Sequence, residues 1–391
     1  MKRHRIAIVI GTRPEAIKMA PVIQALKKRA QLFDTVVIST AQHRQMLDQV
    51  FSLFEIIPDI DLDIMRPNQS LNELAAHVLS SMDKALHDLK PDFLLVQGDT
   101  TTVLAASLAA FYNHIPVGHV EAGLRSHDVN NPFPEEMNRR LTTVLAGIHF
   151  APTVLARQEL LKEGIHPERI IVTGNTIVDA LLHQLERPFN FKNTSLAHIP
   201  FENHRVLLVT SHRRESWGED LRQMCLALEA LVKRFSDVII VYPVHMNPRV
   251  HEMVTHVLGG KERIFLIEPQ DYLTFLNLMK VSYLILTDSG GVQEEAPTLK
   301  KPLLVLRKLT ERPEAMRAGQ ARVIGTNRES IVEETSCLLN SEENYKAMIK
   351  DHNPFGDGQA SERIACAVTR WFSGERPLLE PEKEFVTLVS R

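Results

Sequence analysis

Short runs of consecutive apolar residues, many of them β-branched, alternate with stretches of helical period along almost the whole chain. Ile6–Ile10, Thr35–Thr40, Phe93–Gln97, Val117–Val120, Ile148–Ala151 and Ile170–Thr173 predict strands, and Ala16–Lys28, Leu71–Leu89 and Thr101–Phe111 predict helices between them. The strand runs are apolar throughout rather than alternating, so both faces of the sheet are expected to be covered by helices, the pattern of a parallel sheet. From Arg187 to Asn203 the pattern lapses into a polar connection with Pro188, Asn190, Asn193, Pro200 and Asn203. It then restarts with strands at Val206–Thr210, Val238–Val241, Ile264–Ile267, Leu284–Thr287 and Leu303–Leu306. The reading is α/β, with two Rossmann-like doubly wound domains facing across a cleft. Residues 1–186 form the N-terminal domain and 187–365 the C-terminal one, and 366–391 cross back to the first. The last helix is expected over Gln359–Trp371.

Composition narrows the function classes. At 391 residues there is room for two ordinary domains, and 44% apolar with 24% charged residues describes a soluble globular chain. A formal net charge of -3 gives no basic field for nucleic acid or an anionic membrane surface, so neither is expected as a partner. Cys225, Cys337 and Cys366 lie far apart, without metal-ligand spacing, which fits a reducing cytoplasm and no bound metal. The apolar run after the basic N-terminus, Ile6–Ile10, is too short for a signal segment, and no run approaches membrane-spanning length. Neither G-x-G-x-x-G nor a P-loop occurs, which weakens any reading built on NAD or ATP; no cofactor is expected.

Candidate chemistry gathers where strands end, the functional edge of an open α/β sheet. Leu284–Thr287 runs into Asp288-Ser289-Gly290-Gly291 and a helix-compatible segment with Glu294 and Glu295, which are expected in its first turn. Small residues there aim backbone N–H groups and a helix dipole at phosphate oxygens, and one glutamate could reach ribose hydroxyls. The same pattern also fits an ordinary βα turn with two solvated glutamates. Gly11-Thr12-Arg13-Pro14-Glu15-Ala16-Ile17-Lys18 has capping-box spacing between Thr12 and Glu15, with Arg13 and Lys18 bracketing the helix start as would suit a diphosphate; a plain capped helix is the alternative. Asp99 follows the strand Phe93–Gln97 and reads either as a functional carboxylate or as a helix N-cap. Glu121 ends a buried-looking strand, where a carboxylate costs free energy unless paired, so a task is expected. Glu135, Glu136 and Arg139 follow Pro132-Phe133-Pro134. In the second half, His212 and His245 follow successive strands, where histidine can donate to a phosphate or titrate near neutral pH, and Thr310-Glu311-Arg312-Pro313-Glu314 follows another. Acidic groups thus collect in the first half and anion-binding groups in the second. This layout suits a nucleotide diphosphate held by one wall and a sugar worked on by carboxylates from the other.

Gly11 to Pro21, Ala41-Gln42-His43-Arg44, Gly98 to Thr102, His119 to Arg125, Thr173-Gly174-Asn175-Thr176, His212 to Glu215, Asp288 to Pro297 and Thr310 to Glu314 together resemble the non-hydrolysing UDP-N-acetylglucosamine 2-epimerases, collinearly from the first strand to about Ala360. The resemblance implies a GT-B-type fold, a homodimer, interconversion of UDP-GlcNAc and UDP-ManNAc for cell-envelope polysaccharide precursors, and a second UDP-GlcNAc acting as allosteric activator. It implies a catalytic set of Asp99, Glu121, Glu135, Arg139 and His212. Arg13, Lys18, His245, Phe275, Ser289, Gly290, Gly291, Glu295 and Arg312 would bind the substrate, with Phe275 stacked on uracil. Gln42, Gln45, Glu136, Arg213 and His245 would line the activator site. Three positions depart from the family pattern: Asn68 replaces an arginine of some members, and Lys300 and Lys308 stand where Gly and Asp are expected.

In the mechanism the resemblance implies, UDP is eliminated across C1–C2 of the sugar and added back after reprotonation of the resulting 2-acetamidoglucal from the other face. Such a route needs an acid and a base on opposite faces of C2 and a stabilised diphosphate. A hydrolysing relative that releases ManNAc, a GT-B glycosyltransferase and a non-catalytic nucleotide-sugar sensor remain as alternatives. The intact Ala41 to Met46 motif leans toward the non-hydrolysing type.

Overall fold

The computed structural model describes residues 3–40, 44–66, 69–211 and 217–386, with residues 44–46 given by their backbone alone. The chain forms two compact units, Met1–Leu182 with Phe355–Arg391, and His183–Pro354.

The first unit is built on a parallel sheet of β1 (His4–Ile10), β2 (Phe33–Ser39), β3 (Ile60–Asp61), β4 (Phe93–Gln97), β5 (Val117–Val120), β6 (Ile148–Ala151) and β7 (Ile170–Val172) in the order β3-β2-β1-β4-β5-β6-β7. Every residue of β4, β5 and β6 is buried, as expected of strands covered on both faces. On one face, Leu74, Val78, Met82 and Leu86, spaced by four on the helix Leu71–Leu89, share a core with Ala105, Ala106, Ala109 and Ala110 of the helix Thr101–Tyr112. Alanines let the two helices approach closely, and each large apolar side chain buried there contributes about 1.5–3 kcal/mol.

The second unit repeats the design with β8 (Arg205–Thr210), β9 (Val238–Pro243), β10 (Ile264–Ile267), β11 (Leu284–Thr287), β12 (Leu303–Val305) and β13 (Ala321–Val323), all parallel, in the order β10-β9-β8-β11-β12-β13. Its core joins Leu207, Val209, Ile240, Leu284 and Leu286 of the sheet to Leu221, Met224, Leu228 and Leu231 of the helix Glu219–Arg234. β3 and β13, two and three residues long, are too short to leave a periodic signal and were not expected.

The unit limits differ from the expected ones. The polar stretch from Arg187 to Asn203 lies wholly within the second unit, where Phe191 packs on Phe189 and Phe201 with ring centroids 4.9 and 4.4 Å apart. The chain re-enters the first unit at Phe355, inside the stretch 187–365 assigned to the second domain. The helix Ala360–Ser373 then packs on the helix Arg13–Lys27, with Arg29 donating to Glu362 at 2.8 Å. Phe372 stacks on His4 at 4.0 Å, at the start of β1. Among the described residues no helix is long and apolar enough to cross a membrane.

Candidate active site

In both sheets the strand order reverses beside the first strand laid down, between β1 and β4 and between β8 and β11. Loops leaving such a pair diverge and open a crevice at the C-terminal strand ends. In the first unit those ends carry Gly11-Thr12-Arg13 and Gly98-Asp99-Thr100, with Glu121 following β5 and Asn175 shortly after β7.

Glu121 has φ +65°, a left-handed backbone uncommon for a residue with a side chain and a form of strain that clusters at functional sites. Its carboxylate oxygen Oε2 accepts from Gln97 Nε2 at 3.0 Å and Asn175 Nδ2 at 3.3 Å, and forms an ion pair with Lys18 Nζ. Lys18 reaches it from the helix Arg13–Lys27. Three donors on one oxygen suit a carboxylate rather than a carboxylic acid.

Asp99 forms an ion pair with Arg139 Nη2, and its backbone carbonyl accepts from Asn138 Nδ2 at 2.9 Å. It is not the N-cap of the following helix: that position is Thr100, whose hydroxyl accepts from the Val103 N–H. Arg139 also donates through Nη1 to Glu136 Oε2 at 3.0 Å. Glu136 is fully buried and accepts further bonds from Arg140 Nε and the Ser126 N–H, both at 3.0 Å. The activator role implied for Glu136 therefore falls on a carboxylate engaged in fixing Arg139. Glu135 is half-buried at the first position of the helix Glu135–Leu145. Arg125 turns instead to Glu163, donating from Nε and Nη2 at 2.7 and 2.6 Å.

Glu15 links the two loops of the crevice. Its Oε2 accepts from the N–H groups of Gly11 (2.6 Å) and Thr12 (3.3 Å), and Thr100 Oγ1 donates to its Oε1 at 2.8 Å. Burial pushes its carboxyl up to about 7, against the opposing effect of these bonds. His119, fully buried on β5, donates from Nε2 to the Gly98 carbonyl at 2.7 Å, and burial lowers its pKa to about 4. It is therefore neutral at pH 7 and serves as an anchor for the backbone that presents Asp99.

In the second unit the helix after β11 spans Gly290–Glu295, so Glu294 and Glu295 end it rather than occupying its first turn, correcting the sequence expectation. The Asp288-Ser289-Gly290 run starts the helix earlier than the periodicity suggested. Glu294 is buried and accepts from Arg312 Nε at 2.6 Å; Arg312 also pairs with Glu311 at 3.4 Å. Gly290 lies against this group: a Cβ there would sit 3.5 Å from the Arg312 guanidinium carbon. Glu295 Oε2 accepts from Tyr272 Oη at 3.0 Å, one turn before the half-buried Phe275 on the same helix, Tyr272–Val281. The Ser289 N–H donates to Thr287 Oγ1 at 2.9 Å. His245 is exposed beyond β9, its Nδ1 accepting from the Asn247 N–H at 3.1 Å.

Within the first unit, then, Lys18 meets Glu121 and Asp99 meets Arg139, while Arg13 is half-buried at the first position of its helix. Within the second, Ser289, Gly290 and Gly291 open the helix after β11, Arg312 lies against Gly290, and Glu295 meets Tyr272 on the helix that carries Phe275. Gln42, His212 and Arg213, like Asn68, lie outside the described residues, and Gln45 is described by its backbone alone. Gln97, Asn175, Tyr272 and Glu294 had been given no role as side-chain partners. Their bonds join positions far apart in sequence, so the only signals were the motifs holding Asn175 (Thr173-Gly174-Asn175-Thr176) and Glu294 (Asp288 to Pro297), neither of which names a partner.

The model of the UDP-N-acetylglucosamine 2-epimerase family matches residues 24–369. The chain is 52% identical over 369 residues to the UDP-N-acetylglucosamine 2-epimerase of Escherichia coli (strain K12), covering 93% of this chain and 98% of that one. The crystal structure of UDP-GlcNAc 2-epimerase from Neisseria meningitidis bound to UDP-GlcNAc superposes with a TM-score of 0.88 at 48% identity, over 94% of this chain and 100% of that one. The Methanocaldococcus jannaschii enzyme in complex with UDP-GlcNAc and UDP matches with a TM-score of 0.79 at 37% identity, over 95% of this chain and 100% of that one. Two doubly wound parallel sheets, carboxylates anchored at the strand ends of the first and these full-length likenesses agree: the chain belongs to the UDP-N-acetylglucosamine 2-epimerase family.

Proposed function

We propose that the protein interconverts UDP-GlcNAc and UDP-ManNAc without hydrolysis. The observation that carries this reading is the pair of anchored carboxylates at the first sheet's functional edge, Glu121 on Lys18 and Asp99 on Arg139. The C2 hydrogen of the sugar has no neighbouring carbonyl to acidify it, so inversion needs transient oxidation or transient loss of the C1 substituent. In the second route the C2–H and C1–O bonds break, UDP departs and a 2-acetamidoglucal remains. Protonation of C2 on the opposite face with return of UDP to C1 gives the epimer. Glu121, Asp99 and Glu135 are the acid–base candidates, with Arg139 orienting Asp99. Arg13, Lys18 and His212 would carry the diphosphate charge together with the Ser289-Gly290-Gly291 turn. Phe275 would stack on uracil, and Glu295, steadied by Tyr272, would meet the ribose hydroxyls.

A second UDP-GlcNAc as activator, bound near Gln42, Gln45, Arg213 and His245, belongs to the same reading, and so does a homodimer. Met137, Leu141 and Val144, one face of the helix Glu135–Leu145, are 40%, 45% and 81% exposed, an apolar stripe that a second copy would cover.

Incubation of the purified protein with UDP-GlcNAc in deuterated water, followed at C2 by NMR, tests the proposal. Deuterium at C2 with UDP still attached is expected. Free ManNAc and UDP would establish the hydrolysing reaction instead, and turnover only with an added acceptor would establish glycosyl transfer.

A further inference from the structure

The chain leaves the first unit between Leu182 and His183 and returns between Pro354 and Phe355. Asn175 stands at the root of both passages. It immediately precedes the helix Thr176–Leu185, which carries the chain outward, and its backbone N–H donates to the carbonyl of Phe355, the first residue after the return, at 2.7 Å. The surroundings are tight: a Cβ on Gly356 would come within 3.2 Å of the Asn175 carbonyl oxygen and 3.0 Å of a Val178 methyl. Asp179, one turn along, accepts from the N–H groups of Ala360 and Ser361 at 3.2 and 2.8 Å, so both passages are bound to one helix.

The side chain of Asn175 points the other way, to the candidate site. Its Oδ1 accepts from the Ile177 N–H at 3.1 Å, which fixes the amide orientation and leaves Nδ2 as the group facing Glu121 Oε2, at 3.3 Å. Asn175 is 3% exposed, so neither half of the amide is compensated by bulk water. We propose that Asn175 is a positioning residue for the reaction, holding the Glu121 carboxylate in place and coupling it to the chain's two passages between the units. Glu121 needs such support, since its backbone is in the left-handed region at φ +65°. Among the described residues, Lys18 brings a charge to this carboxylate and Gln97 a neutral donor. Asn175 adds a donor whose position depends on where Phe355 lies, which the other two do not.

This inference rests on the proposed role of Glu121, and its test separates the two. Asn175→Asp keeps the acceptor for the Ile177 N–H and the backbone bond to Phe355, but turns a donor toward Glu121 into a negative charge. The expected result is a fall in kcat of roughly 10- to 100-fold. The acid limb of the kcat–pH profile should move up by about one pH unit, because a like charge disfavours the ionised carboxylate. KM for UDP-GlcNAc should change by less than about threefold, since the interaction is not with bound substrate. A purely structural role would lower Tm and leave the acid limb in place, which overturns the proposal. The Glu121 carboxyl titration, followed by 13C NMR in the full-length protein without substrate and assigned by difference from Glu121→Gln, reads the contact independently of catalysis. An unshifted Glu121 titration in Asn175→Asp also overturns the proposal. A shifted titration combined with an active Glu121→Gln enzyme would instead sink the assigned role of Glu121 and leave the contact standing. Should Asn175→Asp fail to fold, Asn175→Ala, which removes the donor without adding charge, is read by the same titration, with a smaller upward shift expected and an unchanged one overturning the proposal.

Discussion

Lys18 and Glu121 stand 103 positions apart in the chain and form an ion pair whose side chains are 9% and 8% exposed. Removing one member of so buried a pair leaves an uncompensated charge, whereas removing both need not. Lys18→Met is expected to lower stability by about 3 kcal/mol in denaturant unfolding, the low end for breaking a buried pair. The double variant Lys18→Met/Glu121→Gln should recover part of that loss and none of the activity. Glu121→Gln alone should lower turnover at least about a hundredfold. Additive losses in the double variant would show that the pair is not coupled.

Glu136 separates two roles by kinetics. Because its carboxylate fixes Arg139, which in turn fixes Asp99, Glu136→Gln should reduce the basal rate by about tenfold, less than the roughly hundredfold or more of losing an acid–base group, since Asp99 itself stays in place. The response of the rate to rising UDP-GlcNAc should persist. A normal rate with that response lost would return Glu136 to the activator site.

Glu15 makes a pH-dependent contribution of known sign. Its folded pKa, about 7, lies above the ordinary value of 4.5. Below that ordinary value the carboxyl is protonated in both states and no penalty exists. As pH rises toward 7 the unfolded chain releases its proton first, so the native protein is progressively disfavoured, by on the order of 3 kcal/mol at most. Glu15→Gln lacks this penalty. Its stability relative to the parent, measured by urea unfolding, should rise from about pH 5 to pH 8 and then level off. Parallel stability curves for the two proteins would contradict this. His119 and His149, held by burial at about 4 and 3, act in the opposite sense and weaken the fold as pH drops below the ordinary histidine range, equally in both proteins.

Lys300 is a departure from the family pattern with a physical signature. It stands where the resemblance implies glycine, and its φ is +55°, the left-handed region that favours glycine. Its ion pair with Asp351 is solvent-exposed and worth little. Lys300→Gly is therefore expected to raise stability by about 0.5–1 kcal/mol, read as a higher urea midpoint at unchanged m-value. A loss of stability would show that the lysine makes a larger contribution than its exposed partner suggests.

Much of the fold was legible because buried parallel strands are written as unbroken apolar runs: Phe93–Gln97, Val117–Val120, Ile148–Ala151 and Leu284–Thr287 match the observed strands residue for residue. β3 and β13 were not, being pairings of two and three residues that their neighbours impose. For the candidate site, the strand-end rule singled out Asp99 and Glu121, yet for Asp99 it left a helix cap and a functional acid as equal readings. In the structure Thr100 takes the cap and Arg139 pairs with Asp99, which removes the cap reading. Glu15 looked like a routine capping glutamate because spacing reveals the N–H groups it meets and not the burial around it. Glu294 looked solvated because its partner, Arg312, lies 18 positions on.

The helix Ala360–Ser373 carries a consequence for synthesis. The first unit borrows Trp371 and Phe372, whose rings pack on Phe93 at 5.9 and 6.1 Å, from a stretch that follows the whole of the second unit in the chain. The sheet begun at His4 thus lacks one of its covering helices until after the second unit has been made, and every residue of that unit has been made by Pro354. On the ribosome the second unit can mature first, and the first must wait for a helix made after it.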